Sequence, residues 1–276
     1  MTPATLGLVL LAALLHAGWN LLVKSSGDRL VAVWGVVSVA TACSVVVLAV
    51  AGLPPQATWP YVVASAVIHV GYNIALALAY DRADLSVSYP IARGSAPMLA
   101  TLGGVLFLGD DPGASGVLGV LLVSGGIIAL ARARGTANGL GWAIVTGLFI
   151  SSYTLVDAAG VRAGGESIRF LALTFVLQWF GLTAWVVSQR GWQRVRDEVV
   201  AGGPNLLLAG IGSPLAYLLV LIAARTAPIG LVSGLRETSV LIAVLLGRAL
   251  LDEPVERRHL LAAGVIVTGA IAIAMA

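Results

Sequence analysis

Long apolar runs, broken by short clusters of charge, proline and glycine, fill the chain from end to end. The breaks predict helices near residues 4–24, 30–51, 60–80, 85–108, 113–131, 139–159, 168–188, 204–224, 229–250 and 258–276. Each run comes close to the ~20 residues with which an α-helix crosses a ~30 Å hydrocarbon core. None shows the ~10-residue alternation of an outer-membrane barrel, so the predicted class is an all-α integral membrane protein of ten transmembrane helices. Connections such as Ser25–Arg29, Asp81–Asp84 and Arg225–Ala227 are too short to hold a soluble domain. The longest, Gln189–Gly203, predicts a short amphipathic helix on the membrane surface.

The pattern occurs twice. Asp84–Pro112 and Ala227–Pro254 are apolar stretches with an arginine deep inside, Arg93 and Arg236, and an acidic-proline terminator, Asp110-Asp111-Pro112 and Asp252-Glu253-Pro254. The two arginines lie roughly 143 residues apart, and Ser124-Gly125-Gly126 falls against Val267-Thr268-Gly269 at the same offset. Two five-helix repeats follow, residues 1–134 and 135–276, joined through Ala131–Asn138. An odd number of spans in each half inverts the second against the first, an arrangement that favours alternating access.

Composition narrows the picture further. With 59% hydrophobic and 11% charged residues the chain is far too apolar for a soluble domain, whose charged fraction is nearer ~25%. The formal charge of +3 is spread over short loops and is no nucleic-acid footprint. The first span lacks a basic leader and a small-residue cleavage site, so it is expected to be retained in a multi-pass protein of the cell (inner or plasma) membrane. The single cysteine, Cys43, is expected to be a buried small hydrophobe. Arginine and lysine concentrate in the loops after odd-numbered spans, which puts both termini away from the cytoplasm.

Candidate chemistry lies where polar residues interrupt the spans. Arg93 and Arg236 sit near mid-depth, where an unpaired arginine costs at least ~2.5 kcal/mol, and Glu237 is the carboxylate available to offset them. Two deep cations against one deep anion leave a positive excess suited to a substrate carboxylate or other anion; a purely structural ion network is the alternative. Glu237 is also expected to exchange a proton during the cycle. His16 and Asn20 form a stripe on the first span with Lys24, flanked by Trp19. His69, Tyr72 and Asn73 share a face of the third span with Ser65, Tyr89 lies one turn before Arg93, and Ser213 and Tyr217 share a face of the eighth beside Pro214. Tyr153 and Asp157 are four apart on the sixth, with Asp157 and Lys24 expected at corresponding helix ends. Pro90 and Pro97 predict a bent or broken fourth span. No metal-ligand cluster, cofactor motif, nucleotide loop or nucleophile–base pair stands out, and a membrane-embedded enzyme or a non-transporting scaffold remains as the competing class.

The segments His16–Lys24, Leu235–Pro254, the LGVLLVSGGIIALA ending of the first half and the five-plus-five spans resemble the EamA-like family of the drug/metabolite transporter superfamily. The resemblance covers essentially the whole chain. It implies a basket in which spans one to four and six to nine surround a central cavity, with spans five and ten behind. It further implies a secondary transporter that exports small metabolites, often amino acids, and cytoplasmic termini, the opposite of what the loop charges give. The expected partners are a small-molecule substrate, the lipid bilayer and possibly protons, with an oligomeric state that the sequence leaves open.

Overall fold

A computed structural model describes residues 1–24, 28–82, 85–131, 137–251 and 256–276. The terminator Asp252-Glu253-Pro254 and most of the join Ala131–Asn138 fall outside these residues. The helices are α1 (Pro3–Lys24), α2 (Arg29–Ala51), α3 (Trp59–Arg82), α4 (Leu85–Leu108), α5 (Gly113–Ile128), α6 (Ala137–Gly164), α7 (Ile168–Arg190), α8 (Trp192–Ala224), α9 (Ile229–Arg236), α10 (Ser239–Leu251) and α11 (Arg257–Ala274). Among the described residues nine helical stretches are long and apolar enough to cross a membrane. The sixteen-residue α5 is a further, shorter apolar helix of about 24 Å. Large apolar side chains such as Leu10, Val46, Phe107, Phe180 and Leu260 are exposed around the outside, the surface that acyl chains would cover. Cys43 belongs to that surface: it is exposed, not buried as expected, because it points out from α2.

Three helices depart from the sequence expectation. The ninth span, expected as one helix, divides into α9 and α10 at Glu237-Thr238, where Glu237 N–H donates to Gly234 O (3.1 Å) and Thr238 N–H to Leu235 O (3.1 Å). These tighter bonds turn the chain between the halves without a proline. In α4, by contrast, both prolines are accommodated within one uninterrupted helix, so the expected break is absent. Finally, α8 joins the predicted amphipathic helix to a membrane span across Gly203, whose backbone (φ 47°, ψ −136°) only glycine adopts readily. The surface segment buries Val195 and exposes Trp192, Gln193, Arg194 and Arg196.

Helix packing follows a reciprocal scheme in which α1 lies on α8 as α6 lies on α3, and α1 meets α9 and α10 as α6 meets α4. Between them α2 packs on α7, α4 on α9 and α5 on α11. The α5–α11 crossing is the tightest: a Cβ on Gly269 would lie 2.7 Å from Gly119 O and 2.8 Å from Val123 N, and one on Gly126 would meet Ile266 and the Ala262 carbonyl. Such contact lets two backbones approach where no hydrophobic force drives helices together. At one end of the bundle Asp28 caps α2, accepting from Leu30 N–H and Val31 N–H, and pairs with Arg190 at 2.8 Å and Arg194 at 3.5 Å. Burial works to raise its pKa, but the Arg190 guanidinium and the two N–H groups outweigh it and hold the carboxyl below its ordinary value.

Two outcomes follow. Gly269→Val places a side chain against backbone that cannot yield, and should lower stability by about 1–3 kcal/mol in a thermal melt of the purified protein. Asp28→Ala should cost about 1–2 kcal/mol at neutral pH. Because folding depresses this carboxyl's pKa, its contribution is complete above the unfolded value of about 3.9 and fades as pH falls through the folded value; the wild-type and Asp28→Ala melting curves should therefore converge on acidification.

Candidate functional site

The division of the ninth span sets the centre of the site. Arg236 ends α9, where the carbonyl end of the helix dipole favours a cation, and Glu237 sits just before α10, where the amide end favours an anion. Arg93 reaches across from α4, so that its Nε donates to Glu237 Oε2 at 2.9 Å while Arg236 Nη2 donates to Oε1 at 3.4 Å. Glu237 is 0% exposed, Arg93 6% and Arg236 3%, so all three charges are out of contact with the surroundings. The carboxylate is thus neutralised twice over, and the cluster carries one net positive charge. Two buried donors, Arg93 Nη2 and Arg236 Nε, have no partner in the protein.

Aromatic residues surround this cluster. Tyr89 lies under the Arg93 guanidinium, its ring centroid 5.8 Å from Cζ. Tyr72 and Tyr153 meet edge to face at 5.6 Å, both within electrostatic reach of Arg93 and Arg236. His16 is also within reach of both arginines and meets Trp19 edge to face at 5.2 Å. Asn20 and Asn73 serve their own helices, donating to His16 O and His69 O at 2.7 Å each. Trp19 Nε1 is buried without a partner. His16, His69, Tyr72, Tyr89 and Tyr217 are partly accessible although they line the interior.

A second polar centre was not singled out by the sequence. Asp157 was expected at a helix end, but α6 runs on to Gly164 and the residue is 1% exposed. Tyr217 Oη donates to its Oδ2, while Oδ1 has no hydrogen-bond partner. His69 stacks on Tyr153 at 4.1 Å and meets Tyr217 at 6.1 Å; its Nδ1 lies 2.9 Å from the Ser65 carbonyl, which can only accept, so that nitrogen carries the proton. Lys24, the expected counterpart of Asp157, has no described side chain.

One end of the bundle is closed by a third group of contacts. Gly109 (φ 68°) turns the chain after α4 so that Asp110 N–H bonds back to Gly104 O at 3.0 Å. Asp110 then receives both Arg162 Nη1 (2.7 Å) and Ile229 N–H (2.7 Å), while Arg162 also donates to Ala224 O (2.8 Å) and Ala227 O (2.9 Å). A Cβ on Gly104 would lie 2.8 Å from Asp110 Oδ2, so the glycine makes room for the carboxylate. From this end every residue from Ile229 to Val240 is buried, whereas Leu241–Val244 are partly accessible. A separate surface cavity of about 510 Å³, lined by Val105, Asp111, Pro112 and Leu121 among others, lies between α4 and α5, remote from the charged cluster.

A bundle of apolar membrane-crossing helices around buried charges and rings is the architecture of a polytopic membrane protein with an internal ligand site. The model of the EamA-like transporter family matches residues 137–275, half of the chain, and the protein belongs to that family, part of the drug/metabolite transporter superfamily. It is a multi-pass membrane transporter of small molecules. Twenty-eight chains of solved structures match as well. One, a crystal structure of a protein, is 18% identical and superposes with a TM-score of 0.75, covering 100% of this chain and 98% of its own; that likeness speaks for the fold alone. No curated protein matches the chain.

The shared carboxylate makes an asymmetric expectation. Removing Arg93, which holds the shorter bond, should destabilise more than removing Arg236, and Arg93→Gln should cost about 3–5 kcal/mol by leaving Glu237 underpaired. Adding Glu237→Gln to Arg93→Gln should restore most of that loss, read as recovery of the melting temperature.

Proposed function

We propose that the protein is a secondary transporter that exports a small polar or amphipathic metabolite carrying a carboxylate or similar anion across the cell membrane by alternating access. The observation that supports this most directly is the pair of unpartnered buried donors, Arg93 Nη2 and Arg236 Nε, on guanidinium groups whose other atoms already hold Glu237. A carboxylate fits such planar donors, and the rings of Tyr72, Tyr89 and Tyr153 suit the apolar part of an amphipathic ligand. His16, Trp19, Asn20, His69, Asn73 and Tyr217 complete the proposed substrate-facing set.

Alternating access draws its support from two features. The reciprocal packing and the glycine crossing agree with halves related at the 143-residue offset, since Gly126 meets Ala262 and Gly269 meets Gly119. The Asp110–Arg162 contacts tie α4, α6, α8 and α9 together at one end, while α10 is more accessible toward the other. One closed and one open mouth are what a single state of such a cycle requires.

Counterflow in proteoliposomes with a panel of amino acids and organic acids tests the reading. Uptake of an anionic metabolite should fall at least about tenfold in Arg93→Gln and recover only partly in Arg93→Lys, because an ammonium lacks the planar fork. In the Arg93→Gln, Glu237→Gln double variant stability should return without transport. Full recovery of both would reduce the cluster to a structural ion network.

A further inference from the structure

The three polar centres differ in how well their carboxylates are compensated, and that difference separates their roles. Glu237 has two guanidinium groups, and Asp110 has Arg162 and the Ile229 N–H. Asp157 has neither. Among the described residues no cation lies within ion-pair distance of it, although it is as deeply buried as the other two. Its one hydrogen bond comes from the neutral Tyr217 hydroxyl, and Ser65 Oγ lies beside it short of a well-formed bond. A carboxylate enclosed in this way is stable only if it takes up a proton or meets a mobile cation.

We infer that Asp157, not Glu237, is the group that binds and releases a proton in this protein. The inference rests on the proposed transport cycle for its purpose and on geometry for its chemistry. Each element packed against the carboxyl contributes a defined neighbour. From α3 comes His69, neutral and stacked on Tyr153, with Nδ1–H donated to the Ser65 carbonyl. From α8 comes Tyr217, and from α6 itself Tyr153 and, farther along, Arg162, which is already committed to Asp110. From α4 and α9 come Arg93 and Arg236, which act on Tyr153 and are held by Glu237. The exchange balances simply: the Asp157 carboxylate accepts one proton at an oxygen and becomes a neutral carboxyl, and the same O–H bond breaks on release. His69 and Tyr217, both partly accessible, offer the path between Asp157 and the interior.

Tyr153 gives this site its consequence. Its ring touches His69, Tyr72 and Tyr217 and lies within electrostatic reach of Asp157, Glu237 and both deep arginines. Protonation of Asp157 therefore changes the charge felt one ring away from the proposed anion site.

Infrared difference spectra of the full chain in lipid nanodiscs, titrated over about two pH units either side of neutrality, test the assignment without any substrate. The wild type should show a protonated carboxyl band that disappears on alkaline titration. Asp157→Asn should lose it and Glu237→Gln should keep it. Tyr217→Phe should keep the band but move its titration upward by about one unit, because the lost hydroxyl stabilised the ionised form. A band that survives in Asp157→Asn, or one that vanishes in Glu237→Gln, overturns the assignment. Should Asp157→Asn not fold, an unshifted titration in Tyr217→Phe does the same. A titrating carboxyl in a protein without counterflow activity would instead remove the transport reading and leave the proton site standing.

Discussion

The bond between Arg93 and Glu237 is the interaction on which the interior depends. It is the described ion pair that joins the two deep charged spans, and it joins them through residues that a membrane interior tolerates only when each has a partner. The turn at Glu237-Thr238 makes the pair possible, because it places the carboxylate where the end of one half-helix and the start of the next both favour the local charge. The surrounding tyrosines then have a fixed electrostatic reference, and the remaining guanidinium donors point to a ligand rather than to lipid.

How much of this could be read in advance follows from what kind of signal each feature leaves. Membrane spans are written in run length and hydropathy, so their number and bounds emerge within a few residues, and a charge pair inside such a run is conspicuous. The ninth span's turn leaves no such mark. No proline stands there, and the tighter hydrogen bonds arise from packing around Glu237 rather than from local preference. Proline misleads in the other direction at Pro90 and Pro97, because the missing donors leave α4 short of bonds without ending it. Asp157 was noticed but misplaced: the glycine-rich tail beyond it, Ala158–Gly164, looks like a terminus, yet it continues as helix and buries the carboxylate. For Asp110 the sequence offered a helix end and nothing to identify Arg162, 52 residues on, as its partner.

The spacing of the carboxylates bears on how the site can work. Glu237 has two guanidinium neighbours and no need of a proton to offset its charge, whereas Asp157 has only a neutral hydroxyl. Neighbouring groups with such different compensation divide a task between them: one fixes geometry while the other changes charge. Tyr153 stands between the two, which allows the charge of one to be felt at the other without a shared bond.

The arginines are duplicated between the proposed halves, but the carboxylates are not. On the 143-residue offset Glu237 corresponds to Gly94, where a Cβ would lie 2.6 Å from Ile128 and 2.9 Å from the Ser124 carbonyl, leaving no room for an acidic side chain. Asp157 corresponds to Leu14, half-exposed on the outer face of α1. Two states related by exchanging the halves are therefore not electrostatic mirror images. Arg236 and Glu237 are adjacent in the chain and travel together, whereas Arg93 belongs to another helix. Any relative movement of α4 and α9 must strain or break the Arg93 bond first, leaving Glu237 with Arg236 and freeing a whole guanidinium in the interior. The asymmetry makes Arg93 the partner that changes between states, and Arg236 the one that keeps the carboxylate from being stranded.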